Sequence, residues 1–153
     1  MTLTPQQMCD DAFVPRIARL LASFHAVRVD LPREPRLFLT IRGWLQMAEA
    51  LKFETSDPKA AAYAALDFRA IEGELEKVEA ACAAAGSPVV FGHNDLLSGN
   101  LLVLQQPGFD PASPDVEGPL TVIDFEYGSY TYRGFDWGNH FNEYAGFECD
   151  YTR

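Results

Sequence analysis

Three polar side chains in the second half of the chain have the types and spacing that phosphoryl transfer requires. Asp95 and Asn100 are five residues apart, and Asp124 follows the apolar run at residues 120–123. One carboxylate can accept the proton of a hydroxyl group, while an amide oxygen and a second carboxylate can hold Mg²⁺ against the phosphates of ATP. The pattern therefore predicts a catalytic site at Asp95, Asn100 and Asp124.

Each of these residues also has a purely structural explanation. Asp95 could form a side-chain turn or cap a helix, and Asn100 could serve the turn after Gly99. Asp124 could cap the end of its strand. Glu126 either helps to hold a second Mg²⁺ or forms a salt bridge in its loop. The catalytic interpretation is favoured because all three positions are in register on suitable strand and loop elements.

Hydrophobic periodicity predicts helices in the first half of the chain. Apolar residues at helical spacing predict one helix from near Pro15 to Phe24 and a second over residues 37–51. A third helix is predicted from Pro58 to Ala85, since proline suits the first helical position and Gly86 follows the last one.

Short apolar runs predict strands in the second half, at residues 89–91, 101–104 and 120–123. The last two are predicted to form a hairpin around residues 105–119, because the four prolines and two glycines there indicate a surface loop. A short helix is predicted over residues 135–144. The candidate site residues would then lie at strand ends and in the loops beside them.

Composition and charge exclude several classes of protein. The net charge is −10 and the pI is about 4.6, so no basic surface is expected for nucleic acid. Residues 89–153 hold ten acidic and two basic side chains, which predicts bound cations in that region. The three widely spaced cysteines indicate neither a zinc site nor disulfides. We expect a cytoplasmic protein with neither a signal peptide nor a membrane-inserted segment.

Two segments carry a family resemblance. The spacing from Asp95 to Asn100 matches the H-x-D-x-x-x-x-N loop of protein-kinase-like enzymes, and Asp124 stands where the aspartate of D-F-G would be. VVFGHNDLLSGNLL and VIDFEYGSYTYRGFDWGNHFNEYAGF resemble the choline/ethanolamine kinase family. Residues 132–141 separate this family from aminoglycoside phosphotransferases. Residues 94–97 and 141–146 are more similar to ethanolamine kinases than to choline kinases.

The resemblance implies an α+β, protein-kinase-like fold, of which residues 1–153 form part of the C-terminal, catalytic lobe. This part would be mostly helical with a small β-hairpin layer that carries the site. Residues 1–88 would be the helical part, and residues 89–153 would hold the catalytic loop, the metal strand and the following helix. The match covers less than half of a family member, and no glycine-rich loop or V-A-I-K-like run for ATP phosphates occurs in the sequence.

Because the sequence contains neither of these phosphate-binding motifs, we have three expectations for the isolated chain. We expect it to be poorly soluble or partly molten. We also expect it to have no measurable kinase activity, because positioning supplies most of the rate in phosphoryl transfer. We also expect Phe91, Leu101 and Val103 to lie nearer to solvent than their apolar side chains prefer.

The resemblance further implies ATP-dependent phosphorylation of ethanolamine to phosphoethanolamine, on the CDP-ethanolamine route of phospholipid biosynthesis. Asp95 would act as the base, ATP as co-substrate and Mg²⁺ as cofactor, with the metal held by Asn100, Asp124 and Glu126. Choline kinase is one alternative, and a truncated, non-catalytic kinase-like remnant is another. The family also implies a homodimer as one state of assembly.

Further side chains are expected to bind the amine or to support the loop. Tyr127 and Glu143 match family positions near the amine pocket, and Tyr144 is a further candidate. A primary ammonium needs a carboxylate and a quaternary one needs aromatic faces, while the alternative for the tyrosines is packing in the core. The resemblance gives Asp136 the task of accepting N–H bonds from the catalytic loop. His93 is expected to shape that loop by packing and hydrogen bonding.

Overall fold

A computed structural model of the chain describes residues 1–104, 119–149 and 151. Its helices are α1 (Pro5–Met8), α2 (Val14–His25), α3 (Leu37–Glu49), α4 (Ala60–Ala64), α5 (Phe68–Ala84) and α6 (Arg133–Asn142). Its strands are β1 (Val89–Gly92), β2 (Leu101–Val103), β3 (Leu120–Val122) and β4 (Ser129–Tyr132). Short 3₁₀ turns occupy Ser98–Asn100 and Glu143–Ala145. None of the helices in the described ranges is long and apolar enough to cross a membrane.

The chain divides into two compact units. The first contains residues 1–34 together with residues 88–153, and the second contains residues 35–87. Every candidate site residue belongs to the first unit, because all of them lie beyond Pro88 in the sequence.

The second unit consists of α3, α4 and α5, with α3 packed against α5. Arg42 on α3 forms an ion pair with Glu79 on α5. The Tyr63 hydroxyl donates to the carbonyl oxygens of Ala48 and Glu49, both at 2.9 Å. The single helix predicted from Pro58 to Ala85 is wrong, because the side chain of Asp67 accepts a hydrogen bond from Ala70 N–H at 2.9 Å and starts a new helix at α5.

The core of the first unit lies between α2, the loop that ends at Asn100, and β2. Its buried side chains are Leu3, Met8, Phe13, Ile17, Leu21, Leu96, Leu101 and Val103. The segment from Met1 to Leu3 runs beside β2, with Leu3 N–H donating to Leu101 O at 2.9 Å and Val103 N–H donating to Met1 O at 2.9 Å. Leu101 and Val103 are therefore 0% and 1% exposed, and the expectation that they face solvent is wrong. Phe91 is partly buried.

The strands form two separate antiparallel pairs. β2 pairs with β3, with Leu101 opposite Val122, so the predicted hairpin is confirmed while residues 105–118 of its loop lie outside the described part of the chain. β1 pairs with β4, with Val89 opposite Tyr132 and Gly92 opposite Ser129. Strand β4 was not predicted; it lies within a run of aromatic residues next to Gly128. The two pairs bring the end of β1 and the end of β3 to the same side of the core.

Candidate active site

Asp95 and Asn100 are held together by the loop that follows β1. The side-chain Nδ2 of Asn100 donates to the backbone oxygen of Asp95 at 2.8 Å and to its carboxylate Oδ2 at 3.1 Å. Asn100 is 7% exposed, whereas Asp95 is partly exposed and can meet a substrate. Because the nitrogen of Asn100 is used inside the loop, its Oδ1 is the atom that remains for a metal ion.

Two hydrogen bonds join this loop to the residue before Asp124. Ile123 N–H donates to Asn100 O at 3.1 Å, and His93 Nε2–H donates to Ile123 O at 2.9 Å. Asp124 has a φ of +65°, in the left-handed region that non-glycine residues seldom adopt, and its side chain is exposed. The strand end that carries Asp124 is thus fixed directly beside the Asp95–Asn100 loop.

These side chains suit Mg²⁺ by their chemistry. Asn100, Asp124 and the exposed Glu126 offer amide and carboxylate oxygens, the donors that this cation prefers. Within the described residues, no group of three or more His, Cys, Asp or Glu side chains is gathered closely enough to hold a metal ion by itself. Mg²⁺ is commonly bound through one or two carboxylates together with substrate phosphates, so the donor set fits that mode of binding.

Asp136, near the start of α6, is a buried acceptor for the loop at residues 93–100, the candidate catalytic loop. Its side chain is 0% exposed. Its Oδ2 accepts from His93 N–H at 3.0 Å and from His25 Nε2–H at 2.7 Å, and its Oδ1 accepts from Asn94 N–H at 2.7 Å. Burial acts to raise the pKa of Asp136, but these bonds outweigh burial and hold the pKa below its ordinary value. The carboxylate stays charged and fixes the backbone just before Asp95.

The next turn of α6 holds the other side of the same loop. Asn139 Oδ1 accepts from Leu96 N–H at 3.3 Å, and His140 Nδ1–H donates to Leu96 O at 2.8 Å. Burial lowers the pKa of His140 despite the favourable carbonyl and the nearby Asp136. A neutral imidazole that donates through Nδ1 satisfies the carbonyl of Leu96 without placing a positive charge on His140.

Gly92 shows how closely the segments approach one another. A Cβ atom at this position would lie 2.6 Å from the Thr131 methyl group, 2.8 Å from Asn94 Oδ1 and 3.2 Å from Asp136 Oδ2. Any larger residue would push β4 or the Asp136 carboxylate away, so the end of β1 requires glycine.

His93 is enclosed by aromatic side chains. It is 0% exposed, and its ring centroid lies 5.7 Å from that of Phe24 and 5.6 Å from that of Phe125. The rings of Phe24 and Phe125 are nearly parallel, with their centroids 5.8 Å apart. With its Nε2–H directed to Ile123, His93 joins α2, the catalytic loop and the end of β3. The structure places it as a packing residue of the loop, away from solvent.

Glu143 lies close enough to Asp95 for their charges to interact. Burial and the negative charge of Asp95 together raise the pKa of Glu143. A cation between the two carboxylates would relieve this repulsion. Tyr127, in the loop after Asp124, is 46% exposed.

Tyr144 has a different environment. Its ring centroid lies 5.2 Å from that of His140 and 5.8 Å from that of Phe141. The side chain also packs against the hydrophobic core. Burial raises the pKa of its hydroxyl, with Cys9 as a second cause. The contacts of Tyr144 are thus those of a packed aromatic side chain.

Two contributors were not assigned these tasks from the sequence. His25 carries no motif signal, yet it donates to Asp136 across a separation of 111 residues. Asn94 was noted only as part of a motif, yet its Nδ2 donates to Tyr127 O at 2.8 Å and to Ser129 Oγ at 3.0 Å. The one available signal was the position of Asn94 directly before the candidate base.

The pattern that defines choline/ethanolamine kinases matches residues 1–152, almost the whole chain. The chain belongs to the choline/ethanolamine kinase family. It is 42% identical over 151 residues to a probable ethanolamine kinase of Arabidopsis thaliana, covering 99% of this chain and 37% of that protein. It is 36% identical to the choline/ethanolamine kinase of Rattus norvegicus, covering 98% of this chain and 35% of the relative.

Solved structures of the family agree with the fold. The ethanolamine kinase of Plasmodium vivax superposes with a TM-score of 0.82 at 28% identity, over 99% of this chain and 42% of that one. The choline kinase of Cryptosporidium parvum gives 0.66 at 25% identity, over 94% and 42%. The α+β, kinase-like fold is therefore confirmed, and the chain spans a little over a third of the length of the curated relatives it matches.

Proposed function

We propose that this chain forms part of the catalytic lobe of an enzyme that phosphorylates ethanolamine with ATP. One observation carries the proposal: the Asp95–Asn100 loop and the strand end before Asp124 are joined by two hydrogen bonds, through Ile123 N–H and Ile123 O. A base and two magnesium ligands held in one network match what phosphoryl transfer requires. The product would be phosphoethanolamine, an intermediate of phospholipid synthesis.

Each polar group in this network has a proposed task. Asp95 accepts the proton of the ethanolamine hydroxyl as the hydroxyl oxygen attacks the γ-phosphorus of ATP. The bond from that phosphorus to the β,γ-bridging oxygen breaks, and ADP leaves. Asn100 Oδ1 and Asp124 hold Mg²⁺, with Glu126 as an additional carboxylate. The metal ion neutralises charge on the phosphates when it is bound. His93 and Asp136 keep the loop in the shape that this requires.

The amine end of the substrate is proposed to lie between Glu143 and the loop of Tyr127. The raised pKa of Glu143 beside Asp95 supports this, because an ammonium group there would be stabilised by both carboxylates. Tyr127 would cover the carbon chain, and Tyr144 would support Glu143 from the core side. Ethanolamine is favoured over choline because a primary ammonium can donate hydrogen bonds to a carboxylate and a quaternary ammonium cannot.

A different interpretation is that the chain is a kinase-like remnant without activity. The observation in its favour is coverage, because the chain spans 37% of the Arabidopsis thaliana relative. In this case the hydrogen-bond network would be inherited from an active ancestor and would serve only the fold.

The experiment uses two proteins, a reference and a chimera that distinguishes the two interpretations. The first is the 153-residue chain alone, which we expect to release no ADP from ATP with Mg²⁺ and ethanolamine. The second is a chimera in which this chain replaces the region that it matches in the Arabidopsis thaliana relative. We expect ethanolamine-dependent turnover in the chimera, its loss in Asp95→Asn, and a higher kcat/KM for ethanolamine than for choline. A folded chimera without turnover would contradict the proposal.

A further inference from the structure

Asn94 combines an unusual backbone conformation with a side chain directed at a second loop. Its φ is +65°, which asparagine tolerates better than most residues with a Cβ atom. Its backbone N–H is used by Asp136. This leaves the side-chain amide free to turn away from α6, and its Nδ2 donates to Tyr127 O at 2.8 Å and Ser129 Oγ at 3.0 Å.

The loop that Asn94 contacts connects β3 to β4 and carries Glu126 and Tyr127. It closes through a hydrogen bond from Gly128 N–H to Phe125 O at 2.8 Å. A Cβ atom at Gly128 would lie 2.9 Å from Phe125 O, so the turn is tight. The carbonyl of Tyr127 has one described donor from the catalytic loop, the amide of Asn94.

We propose that Asn94 is a positioning residue that sets the distance between the base Asp95 and the loop that binds the amine. The proposal rests on the proposed function, since it takes Tyr127 as part of the amine site. Asn94 directly precedes Asp95 in the chain, and its side chain fixes the backbone of Tyr127. A displacement of either loop is therefore passed to the other through two hydrogen bonds, which makes the residue a determinant of amine recognition.

Three variants separate the side chain of Asn94 from its backbone conformation. Asn94→Gly keeps the left-handed conformation and removes the amide. Asn94→Asp keeps the shape but places a carboxylate oxygen against Tyr127 O, where a donor is needed. Ser129→Ala is the matched control, because it removes the acceptor Ser129 Oγ and the 3.3 Å bond that this hydroxyl donates to Tyr127 O. The shorter bond from Asn94 Nδ2 to Tyr127 O stays in place.

The first measurement is steady-state kinetics in the chimera with the Arabidopsis thaliana relative. In Asn94→Gly we expect KM for ethanolamine to rise about 3- to 10-fold, the range that one lost hydrogen bond predicts. KM for ATP should change less than about twofold, because the phosphate-facing groups are untouched. Asn94→Asp should have a larger effect on ethanolamine, and Ser129→Ala should stay within about twofold. An equal rise of both KM values in Asn94→Gly would overturn the proposal.

The second measurement does not depend on turnover. Hydrogen–deuterium exchange of peptides that cover residues 125–132 reports the order of the loop in the same chimera. We expect exchange at Gly128 to become faster in Asn94→Gly and to stay unchanged in Ser129→Ala. An inactive parent chimera would count against the proposed function alone. Unchanged exchange in Asn94→Gly would show that Asn94 does not hold the loop and would overturn this inference.

Discussion

Replacement of Asp136 by asparagine tests the idea that one buried carboxylate organises the catalytic loop. Its two oxygens accept three hydrogen bonds, from His25 Nε2–H, His93 N–H and Asn94 N–H. In Asp136→Asn one oxygen becomes an NH₂ group, which faces at least one of these donors whichever way the amide turns. The variant therefore keeps the volume of the side chain and changes only its charge and hydrogen bonding.

The size of the effect follows from the number of bonds affected. A hydrogen bond to a charged group contributes about 1.5–3 kcal/mol, and one or two are lost while buried donors remain unsatisfied. We therefore expect Asp136→Asn to lower the free energy of unfolding by about 1.5–6 kcal/mol at pH 7, the sum for one or two such bonds. For a domain with a stability of about 5–15 kcal/mol this is a large fraction.

The direction of the pKa shift of Asp136 determines how its contribution to stability changes with pH. The pKa of Asp136 is lower in the folded state than in the unfolded state, so the unfolded state takes up the proton first as the pH falls. Its stabilisation is fully present above the unfolded pKa of about 4 and declines as the pH falls through the folded pKa. The difference between the parent chain and Asp136→Asn should thus be constant from pH 7 to about 5 and shrink below about 4.

Urea unfolding followed by far-UV circular dichroism measures this difference across the pH range, in the chimera that carries either the parent sequence or Asp136→Asn. Glu148→Gln is the control, since it removes one negative charge from an exposed position of the same unit. A loss of less than about 1 kcal/mol at pH 7 would refute the reasoning, because a single neutral hydrogen bond already accounts for that amount. A difference that persists unchanged to pH 3 would also refute it.

Three further substitutions test the site at other points. In the chimera, Asp124→Asn should abolish turnover with unchanged circular dichroism, and near-normal rates would remove Asp124 as a metal ligand. Glu143→Gln should raise KM for ethanolamine by a factor that corresponds to a loss of about 1.5–3 kcal/mol in binding free energy. An equal rise in KM for an uncharged alcohol analogue would show that Glu143 has a structural role. Gly92→Ala should lower the melting temperature, since the added Cβ would lie 2.6 Å from the Thr131 methyl group. An unchanged melting temperature would contradict the inference that this position has no room for a Cβ atom.

The sequence was a good guide to what depends on neighbours along the chain. Helical spacing of apolar residues located α2 and α3, and short apolar runs located β1, β2 and β3. The break before α5 was missed because the alanine-rich run before it suits a helix, while the cap provided by Asp67 interrupts it. The strand β4 was missed because its partner β1 lies 37–43 residues earlier in the chain, with Gly92 opposite Ser129 and Val89 opposite Tyr132.

In the candidate site, too, the residues marked by local spacing were predicted and those that act through distant contacts were missed. Asp95, Asn100 and Asp124 were selected because their types and spacing carry the chemistry. The contributions of His25 and Asn94 arise from hydrogen bonds across separations of 111 and 33 residues. Periodicity and motif spacing describe local relations, so neither can show which distant partner a polar side chain will meet in the fold.

The three bonds to Asp136 have a consequence for the order in which the protein is made. His25, His93 and Asn94 are all synthesised before their shared acceptor, and 111 residues separate His25 from it. At roughly 5–20 residues per second, the ribosome needs about 6–22 s to cover that interval. Throughout it the catalytic loop lacks the anchor for its backbone, whereas α2 can already form. The loop can therefore take its final shape only after α6 has emerged, and a nascent chain that ends before Asp136 contains Asp95 and Asn100 without their arrangement.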